Sequence, residues 1–364
     1  LEDVVVKQFS DIYRKKRVLV TGHTGFKGSW LTLWLKKLGA EVIGISLPPV
    51  TSPNHWELTH QTIDSRFLDI LEIKNVSSIF DEVKPDIVFH LAAQALVKKS
   101  YCNPLETWSI NVLGTANILE ACRHTASVKS VVVITTDKCY ENQEWPWGYR
   151  ENDPLGGHDP YSSSKAAVEL LVASYRNSFF NSNCSALIAT ARAGNVIGGG
   201  DWAEDRLVPD LMRAFQNNQV LEIRSPNATR PWQHVLESLS GYLMLGQCLE
   251  SCNRAFAQAW NFGPDLESNR TVSEVLQKLS QRWAPFRWRI SEASHPHEAN
   301  LLYLDSNKAK TVMGWRSVWS LDQTVEKTSE WYCAYLERNE VISNQQLVDY
   351  VNAAVDAKVG WIES

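Results

Sequence analysis

The chain has 364 residues, 44% hydrophobic and 21% charged, enough for one large domain or two lobes around a shared cleft. Its net charge of -5, with no long block of one sign, gives no nucleic-acid surface, and the absence of any run of about 18 apolar residues gives no membrane span. The seven cysteines are odd in number, include no C-x-x-C and show no zinc-ligand spacing, which argues against a disulfide framework or a metal site and for a reducing cytoplasm. The opening segment LEDVVVKQFSDIYRKKR lacks the basic-then-apolar pattern of a signal peptide.

In chain order, RVLVT (Arg17–Thr21) reads as a buried strand, followed by a glycine turn and an amphipathic helix over Lys27–Leu38 that Gly39 ends. Strands are expected at Glu41–Ser46, Arg66–Ile70, Asp86–Leu91, Val128–Thr135 and Ser185–Ala191. Helices are expected at Glu72–Val83, Pro104–His124 and Asp159–Asn181. Strands alternating with helices predict an α/β fold, a Rossmann-type doubly wound parallel sheet. The second half is less regular: helices at Arg206–Asn217, Val235–Glu250, Thr271–Trp283, Lys308–Met313 and Asp322–Arg338, and strands at Val220–Arg224 and Ala259–Phe262. We expect residues 1–197 to form a nucleotide-binding domain, with 235–263 returning to it. Residues 198–234 and 264–364 then form a smaller mixed C-terminal substrate-binding lobe. The long Pro-, Gly- and Trp-rich loop Asn142–Pro160 reads either as a lid or as a structural surface loop. Some of the fifteen tryptophans belong to the core, and others are candidates to line a site for a flat base or a sugar ring.

Gly22-x-x-Gly25-x-x-Gly28 sits between a strand and a helix, the setting in which glycines allow a tight turn, close approach to a pyrophosphate and helix–strand packing. A dinucleotide is the expected ligand. The second strand ends at Ser46 instead of an acidic residue, and no arginine follows to grip a 2′-phosphate, so NAD is favoured over NADP. Asp69, near the tip of the third strand, is a candidate adenine contact or a generic strand-end carboxylate.

Tyr161 and Lys165 lie four apart on a predicted helix and share a face. A phenol is a poor base at neutral pH. One positive charge at about 6 Å in an effective dielectric of about 20 supplies ~2.8 kcal/mol, or about two pKa units. Lys165 and an oxidised nicotinamide together make Tyr161 a usable base for an alcohol. Thr136-Asp137-Lys138, at the tip of the fifth strand, adds an acid and a second base.

VTGHTGFKG, HLAAQ (90–94), TTDKCY (135–140), YSSSK (161–165) and RAGNVIGGGD (192–201) resemble the extended short-chain dehydrogenase/reductase family over nearly the whole chain. GFKGSW (25–30), GGGDW (198–202) and RPWQHVLE (230–237) are most similar to its branch that dehydrates CDP-glucose. The resemblance implies conversion of CDP-glucose to CDP-4-keto-6-deoxyglucose with tightly held NAD, for the deoxysugars of bacterial surface polysaccharides such as lipopolysaccharide. It also implies a homodimer built through the helices 104–124 and 159–181. By the same resemblance Thr24, Phe26, Ile70, Leu91, Ala92 and Ala93 join the three glycines around the cofactor.

Related dehydratases carry Thr-Asp-Glu where this chain has Thr136-Asp137-Lys138, so the base for C5 is the open assignment. The expected order is removal of the 4-hydroxyl proton by Tyr161, aided by Thr136 and Lys165, as hydride leaves C4. Lys138 then takes the C5 proton, protonated Asp137 donates to the departing 6-hydroxyl, and hydride returns to C6. The competing reading is that Lys138 only pairs with Asp137 and orients it. Arg192, Arg206, Arg224 and Arg230 fall in the region expected to face the nucleotide, with Arg206 and Arg230 preferred. Asn195, Lys98 and His297 (with Glu298) are further substrate candidates, and Trp232 either stacks or packs. His90 reads as a core histidine. A nucleotide-sugar 4-epimerase is the nearest alternative, since it needs no acid and base for C5 and C6; a non-catalytic NAD-binding regulator is another.

Overall fold

The computed structural model describes residues 6–182, 185–283, 286–291 and 300–363. Its centre is a seven-stranded sheet. We label β1 Arg17–Thr21, α1 Phe26–Lys37, β2 Glu41–Ser46, β3 Asp64–Phe67, α2 Ile73–Val83 and β4 Ile87–His90. A helical stretch over 104–124 follows, then β5 Ser130–Ile134, α3 Pro160–Ser178, β6 Leu187–Ala193, α4 Val235–Glu250 and β7 Ala259–Phe262. The strand order is β3-β2-β1-β4-β5-β6-β7 and every pairing is parallel. The order reverses between β1 and β4, which opens a crevice at their carboxyl ends.

Parallel strands are buried on both faces, which is why β1, β4 and β5 are built around the apolar runs VLV, IVF and VVVI, and why every residue of β6 is buried, Thr190 and Arg192 included. One face carries a cluster including Trp30, Trp34, Leu239 and Tyr242 from α1 and α4; the other is covered by Val76, Ile118, Val168 and their neighbours. The third strand is displaced from the expected Arg66–Ile70 to Asp64–Phe67. It is a largely exposed edge strand, so burial imposed no clear pattern. Asp69, beyond its end, accepts the Leu71 N–H (2.9 Å) and turns the chain.

The stretch 104–124 is not one uniform α-helix: a π turn, Ser109–Leu113, joins Pro104–Trp108 to Gly114–His124. Asn111 within it is buried. Its side-chain oxygen accepts from Gln94 N–H (2.8 Å) and its amide donates to Ser164 Oγ (2.8 Å). Lys308–Met313 likewise ends in a π turn, Ala309–Met313. β7 pairs with β6, so the segment that includes α4 does return to the sheet.

The smaller lobe holds short pairings, Leu221–Ile223 with Trp288–Ile290 and Thr229–Pro231 with Asn269–Thr271. Its helices are Leu207–Gln216, Val272–Arg282 and Leu321–Arg338. The Ser343–Asp356 helix, absent from the sequence expectation, packs back on the nucleotide-binding half. Tyr350 meets Trp34 edge-on (5.7 Å), and Trp361 stacks on Phe9 (4.9 Å). Among the described residues no helix is long and apolar enough to cross a membrane, and no group of three or more His, Cys, Asp or Glu is placed to hold a metal ion.

Candidate active site

A cleft of about 860 Å³ runs from the carboxyl ends of β1 and β4 to the smaller lobe. At one end lies the glycine turn. Gly22 has φ +75°, and a Cβ there would meet Ala92 N at 2.8 Å; one on Gly28 would sit 2.0 Å from the Gly22 carbonyl oxygen. Only glycine therefore lets β1 turn under α1. Gly25 caps α1 in an extended conformation, so the first N–H groups of that helix face the cleft. Thr24 locks the turn to the tip of β2: its hydroxyl is 2.7 Å from Ser46 Oγ and donates to the Leu47 carbonyl (2.9 Å). Phe26, Asp69, Ile70, Leu91, Ala92 and Ala93 line the same end. The N–H groups of Leu91 and Ala92 donate to Thr21 Oγ1, both at 3.1 Å. A side-chain-free turn and a free helix N-terminus fit a dinucleotide pyrophosphate. His90 is a core residue as expected, bracketed by Thr21 (2.7 Å) and Thr115 (2.9 Å), and burial lowers its pKa to about 3.

Thr136, Asp137, Lys138, Tyr161 and Lys165 all line the middle of the cleft. Thr136, two residues beyond the end of β5, caps the short 3-10 turn Asp137–Cys139. Its hydroxyl donates to Asp137 Oδ1 (3.0 Å), while Asp137 Oδ2 is buried with no hydrogen-bond partner. Burial therefore raises the Asp137 carboxyl above its ordinary value, against the pull of Lys138, Thr136, Arg230 and Lys27. With Oδ2 unpartnered and Oδ1 bonded to Thr136, Lys138 does not hydrogen-bond to the carboxylate, so it is not its direct ion-pair partner.

Burial raises the Tyr161 phenol to about 12, opposed by its hydrogen bond with Thr136. It lowers Lys165 to about 8, opposed chiefly by Glu169; the Lys165 ammonium donates to the Ile134 carbonyl (3.1 Å). Burial thus favours the protonated form of Tyr161, and a positive charge brought beside it would favour the phenolate.

One cleft cation escaped sequence reasoning. Lys27 stands inside the glycine turn, 3.3 Å from Tyr242 Oη. Burial, with help from Arg206, lowers its pKa to about 7. Its signal was the K within GFKGSW, hidden because the motif constrains only the glycines.

At the far end Arg206, Arg224, Arg230, Asn195, Trp232 and Lys98 line the cleft. Arg206 pairs with Asp201 (2.8 Å) and Lys98 with Asp205 (2.5 Å). Trp232 is 3% exposed and donates its indole N–H to the Arg270 carbonyl (2.9 Å), so packing fixes its orientation. Arg192 does not face the nucleotide end: it is buried behind the sheet, paired with Glu169 at 2.8 Å. His297 and Glu298 lie outside the described residues. The loop 142–160 borders none of the cleft. It is tied to the 300–305 segment instead, through Tyr149 N–H to the Tyr303 carbonyl (2.9 Å) and Asn142 to the Leu301 carbonyl (3.0 Å).

A doubly wound sheet, a glycine turn and a Tyr–Lys pair beside a buried acid define a nucleotide-dependent redox enzyme of the short-chain dehydrogenase/reductase type. Residues 19–328 match the model of the GDP-mannose 4,6 dehydratase family, and the chain belongs to that family. It is 46% identical over 352 residues to the CDP-glucose 4,6-dehydratase of Salmonella typhimurium, covering 94% of this chain and 98% of that one. A Thermus thermophilus UDP-glucose 4-epimerase, solved in complex with NAD, superposes with TM-score 0.75 at 25% identity, over 87% of this chain and 98% of that one. A Streptomyces venezuelae dTDP-glucose 4,6-dehydratase, solved with NAD bound, shares the fold at TM-score 0.72 and 22% identity, over 89% and 98% of the two chains.

Proposed function

We propose that this protein is an NAD-dependent 4,6-dehydratase that converts CDP-glucose to CDP-4-keto-6-deoxyglucose. The observation that carries the reading is Asp137, a buried carboxyl with one oxygen unpartnered in the cleft that holds Tyr161 and Lys165. An epimerase has no use for such an acid. The residues 22–28 and the ends of β1, β2 and β4 hold NAD, which when bound takes a hydride from the sugar and later gives it back.

The chain's own groups then divide the proton work. Tyr161, with Thr136 and Lys165 favouring its phenolate, takes the 4-hydroxyl proton. The resulting C4 ketone acidifies C5. Lys138, partly exposed on the same turn, removes the C5 proton as the free amine. Burial favours the protonated form of Asp137, which donates its proton to the 6-hydroxyl as that oxygen leaves as water. Arg206, Arg224 and Arg230 clamp the diphosphate, and Asn195 and Lys98 contact the substrate.

In this reading residues 1–197 with 235–263 bind the coenzyme, and 198–234 with the chain after 263 supplies the sugar nucleotide. The product feeds deoxysugar synthesis for a surface polysaccharide in the cytoplasm. Two copies pair through the helices 104–124 and 159–181, a pairing supported by Leu105, Leu113 and Leu170, exposed at 81%, 59% and 62%.

The test is incubation with NAD and, separately, CDP-, dTDP-, UDP- and GDP-glucose. Loss of one water from CDP-glucose alone, seen in the product mass, is expected. An isomer of unchanged mass would make the protein an epimerase instead. Lys138→Met should retain C4 oxidation and abolish solvent exchange at C5; retained exchange removes Lys138 as the base.

A further inference from the structure

Behind the cleft lies a buried ionic assembly that the proposed chemistry does not use. Glu169 follows Tyr161 and Lys165 on α3 at the same four-residue spacing, so the three side chains descend one face of the helix into the protein. Glu169 is 4% exposed. Its Oε1 accepts from Thr135 Oγ1 (2.5 Å); its Oε2 accepts from Thr190 Oγ1 (2.7 Å) and from Arg192 Nη2 (2.8 Å). Arg192 in turn donates from Nη1 to Tyr140 Oη (2.7 Å) and to the Glu151 carbonyl (3.1 Å), and its guanidinium lies over the Tyr140 ring at 4.9 Å.

The chemistry-bearing segments converge on this one anion. Thr135 immediately precedes Thr136-Asp137-Lys138, and Tyr140 immediately follows the short turn that holds them. Lys165 is one helical turn away. We infer that Glu169 is a positioning residue for the Tyr161–Lys165 pair: it is the fixed anion that keeps the Lys165 ammonium in place beneath the cleft and ties the end of β5 to α3. The inference rests on the dehydratase reading above.

Tyr161 faces Asp137, Arg206 and Asp159. Lys165 faces Glu169 on its own helix and Lys27 from α1, with the Cys139 thiol and the His90 imidazole, both kept neutral by burial, beside it. Glu169 faces Arg192 on β6, Arg176 on α3 and Cys139. Of the groups acting on Lys165, Glu169 most opposes the loss of its proton. Arg192 and three hydrogen bonds hold the Glu169 carboxyl below the ordinary glutamate value despite its burial. Without that anion, Lys165 deprotonates at a lower pH, and Tyr161 loses the ammonium that favours its phenolate.

The experiment compares the wild type with Glu169→Gln and with the double variant Glu169→Gln, Arg192→Gln, which removes both charges so that neither is left buried and unpaired. The pH profile of kcat/KM for CDP-glucose and a nitrogen NMR titration of Lys165, assigned by its loss in Lys165→Arg, are the readouts. In whichever variant folds, the basic limb of the profile and the Lys165 midpoint should both move down by about one pH unit, a roughly fivefold loss of activity at pH 8. Unchanged midpoints in a folded variant overturn the role of Glu169. Absence of CDP-glucose turnover by the wild type would instead overturn the dehydratase reading, and the NMR titration would still decide the Glu169 question.

Discussion

Two regions of the molecule, the cleft and the layer behind it, treat a buried carboxyl in opposite ways. In the cleft, Asp137 is 2% exposed, has one unpartnered oxygen, and its pKa is raised. Behind the sheet, Glu169 is 4% exposed, bonds Arg192 and two threonines, and its pKa is lowered. Desolvation is the largest influence on both. A third acid separates the remaining causes. Glu237, on α4, accepts N–H groups from Val318 and Trp319 and the Tyr350 hydroxyl, yet stands at about 7 because no cation joins them. Neutral hydrogen bonds alone do not keep a buried carboxyl ionised here; a directly bonded guanidinium does. The fold thus favours the protonated form of Asp137 and the ionised form of Glu169.

Removing the acid tests the cleft half of this contrast most severely. Asp137→Asn should lower turnover by about 10²–10⁴-fold, the usual worth of general acid catalysis, while C4 oxidation persists. Reduced coenzyme accumulating in a single-turnover absorbance trace would show it. Breaking the other half affects stability. Arg192→Met leaves Glu169 buried without its cation and should cost about 3–5 kcal/mol, read from urea unfolding.

Glu237 sharpens the comparison through pH. Burial pushes its carboxyl from the ordinary 4.5 up to about 7 in the folded protein. The stabilisation from its bound proton is present below pH 4.5 and is lost as pH rises through 7, on the order of 3 kcal/mol in all. Glu237→Gln should flatten that part of the stability profile, measured by unfolding at a series of pH values. If the variant keeps the wild-type slope, Glu237 is not the group responsible. Lys27 gives the smallest effect. As a cation within the glycine turn it favours the anionic pyrophosphate of NAD. Lys27→Ile should weaken NAD binding by about tenfold, ~1.4 kcal/mol, near pH 6. The gap should close as pH rises above 7, where Lys27 of the wild type loses its charge. Titration calorimetry at several pH values checks both statements.

Much of the site was legible in advance because backbone geometry and local spacing demand particular residues. Gly22 and Gly28 have no substitute when a Cβ would strike Ala92 or the Gly22 carbonyl. Tyr161 and Lys165 share a face by helical spacing alone. The buried strands announced themselves as apolar runs, and β1, β2, α4 and β7 fall where the sequence places them. The exposed edge strand β3 did not, since nothing packed against it to impose a pattern.

Sequence by itself therefore determined the parallel sheet, the glycine turn and the grouping of Thr136, Asp137, Lys138, Tyr161 and Lys165 that lines the cleft, each a matter of short-range spacing. Only the tertiary structure decided the partners of the buried charges. It turned Arg192 away from the nucleotide to Glu169, brought Lys27 into the cleft and left Asp137 with an unpartnered oxygen. It also tied the 142–160 loop to the 300–305 segment and returned the C-terminal helix to α1. The physical reason is that the charge state of a buried group depends on which groups the fold brings to it from distant parts of the chain, and no local pattern encodes those distances.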